Sequence, residues 1–156
     1  MQYEPSVNRM AELRRKYLGT QLRFESTLST YYFWMNTKRA PFNDRRVREV
    51  ANYAVDRSVL ERIYSGRVAP TQQILPPGMP GFRRFGLYPY DMAKARRLVA
   101  EADPDDRRIT VWTDTESPHA AAADYYRSQL EKIGLRPRLK VVNADRELRQ
   151  DQRSRP

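Results

Sequence analysis

An α/β fold with helices packed on a small mixed sheet is predicted by three features of this 156-residue chain. First, two short β-rich runs at 109–112 and 139–142 flank a helical period at 117–133. Second, Pro41 and Asn43-Asp44 are followed by apolar residues at helical spacing. Third, there are no cysteines. A core rather than disulfides or thiolate metal sites must therefore hold the chain together.

Residues 8–18 place Met10, Leu13, Tyr17 and Leu18 on one helical face, and Gly19 is a stop signal. Leu22 and Phe24 alternate with polar neighbours, as a short strand would. Residues 30–35 are rich in strand formers, with continuous rather than alternating bulk, which predicts a strand covered on both faces. Asn43-Asp44 then caps a helix over 44–56 with Val47, Val50, Ala51, Ala54 and Val55 inward. A second helical stretch carries Val59, Leu60 and Ile63 and ends near Gly66.

Residues 67–90 hold five prolines and three glycines, so they are irregular. They also hold Ile74, Leu75, Met79, Phe82, Phe85, Leu87 and Tyr88, which predicts a packed segment rather than a polar linker. Asp91 caps a helix over 92–102 with Ala95, Leu98, Val99 and Ala102 inward. A strand at 107–113, a helix from Ser117-Pro118 to 133 and a strand at Leu139, Val141 and Val142 complete the pattern. The connection is too long for a hairpin, so the two strands pair in parallel through a right-handed crossover. Residues 143–156 are polar and charged and read as a disordered tail.

The net charge is +10 and the sequence pI about 10.1. Of 29 basic residues only five are lysine. Arginine pairs such as Arg14-Arg15, Arg45-Arg46, Arg96-Arg97 and Arg107-Arg108 are spread along the chain among Glu12, Asp44, Glu49, Glu101 and Asp106. That spacing reads as a solvated surface, with salt-sensitive contact to polyanions but no specific nucleic-acid face. A basic polyanion-binding module is the reading that charge alone favours. No apolar run approaches the roughly 20 residues of a membrane span. The N-terminus shows no secretion signal, so the chain as written is expected in the cytoplasm.

Residues 31–57 carry a specific run: Asn36-Thr37 after the aromatics, Pro41-Phe42, Asp44, Val47-Arg48, Ala54 and Asp56-Arg57. Ile74-Leu75-Pro76-Pro77, Gly81-Phe82, Tyr88 to Asp91 and Lys94-Ala95 follow in order. Over about 8–142 this resembles the family 5 bacterial extracellular solute-binding proteins, the dipeptide- and oligopeptide-binding components of ABC importers. One departure is Val50-Ala51, where the family more often has a small residue before a large one.

The resemblance implies a partial lobe of a two-lobed, type II periplasmic-binding-protein-like fold. Residues 1–29 would end the preceding lobe or lead in, 30–142 would form the partial lobe, and 143–156 the tail. It implies an export signal and a first lobe ahead of residue 1, and further ligand-holding strands after 142. The departure after Val142 is what a truncated or frame-shifted gene, and a non-functional product, would show. The implied function is capture of a peptide or similar small solute and its delivery to an ABC permease. The expected protein is an extracellular or membrane-associated monomer, with no cofactor and no enzymatic activity. Tyr31, Tyr32 and Phe33 would cross between lobes, or equally serve as core aromatics.

In open α/β sheets ligands sit beyond the carboxyl ends of the strands. By the resemblance, the loop after the first strand faces the cleft, which makes Trp112, Thr113, Asp114 and His119 the candidate ligand contacts. The alternative places Trp112 in the core and Asp114 in an ordinary turn. Asp114, Ser117 and His119 also have the residue types of a hydrolytic triad. No nucleophile elbow accompanies them, and His119 is the only histidine, so neither catalysis nor metal ligation is expected.

Overall fold

The computed structural model describes residues 7–23, 28–115 and 118–142. The chain divides into two compact units. One comprises Met1–Phe33 and Arg57–Leu87, the other Trp34–Asp56 and Tyr88–Pro156.

The first unit contains helix α1 (Val7–Tyr17). Met10 is buried, Leu13 and Tyr17 are half-buried, and Leu18 lies exposed just past the helix end, against the inward expectation. The expected strand at Leu22 is a single bridge to Leu18, and Phe24 lies outside the described residues. Gly19 reverses the chain at a positive φ.

Two further helices, α2 (Arg45–Tyr53) and α3 (Arg57–Ile63), match the two predicted stretches, with the break near Asp56 that the sequence anticipates. The second of these belongs to the first unit. It ends through Ser65 and Gly66, both at positive φ, and the Gly66 amide donates to Glu61 O at 2.8 Å. The Gly66 carbonyl accepts from Arg14 Nη2 at 2.8 Å, which ties α1 to the end of α3.

Residues 31–35 are not a strand, and Tyr31, Tyr32, Phe33 and Trp34 are all exposed, Trp34 by 84%. Aromatic composition favours a strand, but a strand exists only where a neighbouring backbone supplies the ladder. Composition cannot supply that neighbour. Tyr31 instead stacks at a tilt on Tyr64, with ring centroids 5.3 Å apart.

The proline-rich segment is irregular as expected, with turns closed by Met79 N to Pro76 O and Phe82 N to Met79 O. Its packing is looser than expected: Ile74, Met79, Phe85 and Leu87 are exposed. Among the described residues only α1 and α3 are available to cover it within this unit, and α3 itself buries no residue fully.

The second unit holds α2, α4 (Met92–Ala102), strand β1 (Arg108–Thr113), α5 (His119–Lys132) and strand β2 (Arg136–Val141). Its core holds most of the predicted residues, while Leu98 and Ala102, also expected inward, are half-buried. Val47, Val50, Ala51, Ala54 and Val55 are buried, with Ala95, Val99, Ile109, Val111, Leu130 and Ile133. Val50 and Ala51 are almost wholly enclosed, so the departure from the family's size order is accommodated.

Both predicted caps are present. Asp44 Oδ1 accepts the Arg46 amide at 2.7 Å, and Asp91 Oδ1 accepts that of Lys94 at 2.8 Å. Arg46 also donates to the Glu101 carbonyl at 3.1 Å, which joins the start of α2 to the end of α4. At the other end of α2, Tyr53 accepts from the Asp91 amide, and its hydroxyl meets Lys94 Nζ at 2.8 Å. Tyr125 on α5 both accepts from the Asp56 amide and donates to its carbonyl.

Strands β1 and β2 pair in parallel, in register from Arg108↔Arg136 to Thr113↔Val141. Among the described residues this is the only sheet, so it is parallel where a mixed one was expected. Helix α5 packs on one face of it. That face receives Ile109, Val111 and Thr113 because alternate strand residues point the same way.

Candidate functional site

The strand–helix junction after β1 is built by alternation. Thr113 is the last inward residue of β1 and is 9% exposed. Its carbonyl accepts the Val142 amide at 2.7 Å, which holds the ends of both strands together. Asp114 follows at the carboxyl end of the strand, and α5 begins five residues later with His119. Pro118, at the capping position, is buried, and among the described residues no side chain caps the helix there.

Two of the four candidate side chains meet here. His119 Nδ1 lies 3.1 and 3.0 Å from the two carboxylate oxygens of Asp114. Both are about two-thirds buried. A neutral His119 donating from Nδ1 leaves Nε2 as the acceptor nitrogen, whereas a protonated ring forms an ion pair. Each form keeps the imidazole oriented and the carboxylate at the junction. Ser117, the third residue of the apparent triad, lies outside the described residues.

Trp112 is not brought to this pair. It points to the sheet face opposite Thr113 and is 53% exposed, so it is not core. Its ring lies under the ammonium of its in-register neighbour Lys140, 3.8 Å from the centroid. The strand-end contact was legible as a loop leading into a helix. The Trp112–Lys140 stack was missed, although parallel register with alternation could have revealed it. Among the described residues no group of three or more His, Asp or Glu side chains is placed to hold a metal.

The chain as a whole is similar to known proteins. The sequence profile of the bacterial extracellular solute-binding proteins, family 5 (middle) matches residues 3–155. The chain belongs to this family. The match runs past Val142, where the motif-by-motif resemblance ends. The glutathione-binding protein GsiB of Salmonella choleraesuis (strain SC-B67) is 30% identical over 143 residues, which is 90% of this chain and 28% of GsiB.

Among solved structures, the periplasmic binding protein DppA of Helicobacter pylori, in complex with the peptide STSA, superposes with a TM-score of 0.66. It is 26% identical, over 74% of this chain and 23% of that one. Haemophilus influenzae OppA, in complex with RPPGFSPFR, matches 97% of this chain and 32% of its own, with a TM-score of 0.70 at 21% identity. The chain thus spans under a third of the length of these relatives, and its fold is part of a type II periplasmic binding protein.

Proposed function

We propose that this chain contributes to the solute-capturing component of an ABC importer that takes up peptides or similar small solutes outside the membrane. The family membership supports the class, and the names of GsiB and DppA point to glutathione and short peptides as the first solutes to try. One observation carries the site: Asp114 and His119 are held together at the carboxyl end of β1, beside the start of α5.

Asp114 would receive a solute ammonium, with His119 fixing its orientation. The first amides of α5 would receive a carboxylate near the Thr113 backbone. Trp112 stands one residue back, on the other sheet face. The chain passes from one compact unit to the other between Phe33 and Trp34, which supports reading Tyr31, Tyr32 and Phe33 as a crossing. Such a crossing lets two lobes close on a solute before it is handed to a permease. The mechanism needs no covalent step, no cofactor and only a monomer.

The test is calorimetric titration of the chain with glutathione, a dipeptide and a tetrapeptide, repeated with Asp114→Asn and His119→Ala. Saturable binding that weakens about tenfold or more in Asp114→Asn supports the assignment, because a hydrogen bond to a charged group is worth roughly 1.5–3 kcal/mol. Binding of equal strength in both variants removes this pair from the site.

A further inference from the structure

The sheet has a second face, opposite α5, whose chemistry the solute-binding reading does not use. In-register pairing and alternation place Arg108 beside Arg136, Thr110 beside Arg138 and Trp112 beside Lys140 on that face. All but Thr110 are exposed. No outward position on either strand is acidic.

Two of the β2 side chains reach across to β1. Arg138 Nε donates to Thr110 Oγ1 at 3.0 Å, and Lys140 covers the Trp112 ring. Arg108 is neutralised by Asp106 at 3.0 Å, just before the strand. Arg136, Arg138 and Lys140 make no ion pair among the described residues. The three stand on alternate positions of one strand, about 6.6 Å apart.

We propose that this face docks on an anionic phospholipid surface. A row of single-sign charge on one face suits a plane of headgroups, where each basic side chain adds attraction. The half-exposed Trp112, at one end of the basic row, has the amphipathic ring that settles at a membrane–water interface. Single-stranded nucleic acid offers the same charge but relies on bare aromatic rings for stacking. Here the Lys140 ammonium already occupies a face of the ring.

The experiment uses the full chain carrying Trp34→Phe, so that Trp112 is the sole tryptophan. Its emission is followed while phosphatidylcholine vesicles, with and without phosphatidylglycerol, are added at low salt. Partitioning is then compared for two variants that lose the same charge. One is Arg136→Gln/Arg138→Gln/Lys140→Gln. The other is Arg15→Gln/Arg83→Gln/Arg84→Gln, all exposed and off the sheet. Circular dichroism confirms that both keep the parent spectrum.

The expected result is a blue shift of Trp112 with the anionic vesicles only. The sheet-face variant should bind on the order of a hundredfold more weakly, about fivefold per cation, with a much smaller loss in the control. Equal losses in the two variants, or an unmoved Trp112 emission, would overturn the proposal. So would binding of oligothymidylate at this face without binding of vesicles. The readout is independent of solute titration, so its failure leaves the solute-binding assignment standing.

Discussion

Asp44 shows how one residue can set the start of an element. Its carboxylate accepts the side chain of Arg46 first and the Arg46 backbone amide second, and both hold its pKa below the ordinary value of 3.8. A depressed carboxylate stabilises the folded state above its unfolded pKa, and that stability is lost as pH falls through the lower, folded value. Asp44→Ala should therefore cost about 1 kcal/mol at neutral pH, the usual worth of an N-cap. The gap from the parent should narrow below pH 3.8, as urea unfolding across pH would show.

Gly66 is the second residue-scale case. Its φ is +65°, and an added Cβ would sit 2.6 Å from Arg14 Nη1. Arg14 is flexible and can withdraw, but only by giving up its bond to the Gly66 carbonyl. Gly66→Ala should thus destabilise by about 1–2 kcal/mol, mostly from backbone strain. An alanine variant as stable as the parent would show that this turn relaxes freely.

At the scale of elements, the helices of the second unit were legible because caps and apolar spacing agree. Asp91 and the inward Ala95 and Val99 place α4 at Met92–Ala102, as the spacing predicts. Leu130 on α5 is fully enclosed. Leu130→Ala should cost about 2–5 kcal/mol in thermal or urea unfolding, whereas Leu60→Ala on α3, only half-buried, should cost well under half as much. Strand-like composition was a weaker guide. Residues 31–35 have the residue types of a strand without forming one, because a ladder depends on a partner distant in sequence. The 109–113 run succeeded because its partner, 136–141, follows within one crossover.

At the scale of the whole molecule, a charge of +10 predicts general, nonspecific attraction to soluble polyanions. Binding to heparin should fall steeply between about 50 and 200 mM salt, as phosphate-type contacts do. Retention that persists at the upper salt would mean a built polyanion site rather than a diffuse surface. The family was readable from the run at Asn36, Pro41, Asp44, Val47 and Asp56, where turn, cap and core demands coincide and tolerate few residue types.

The sequence by itself determined the α/β class, the parallel crossover, the core of the second unit and the family, because each depends on local period, capping or a motif. Tertiary structure alone decided that Asp114 meets His119 and that Trp112 turns away beneath Lys140. It alone also left the aromatics of 31–34 exposed. Those outcomes depend on which strand face and which distant backbone a side chain meets, and no local pattern encodes that.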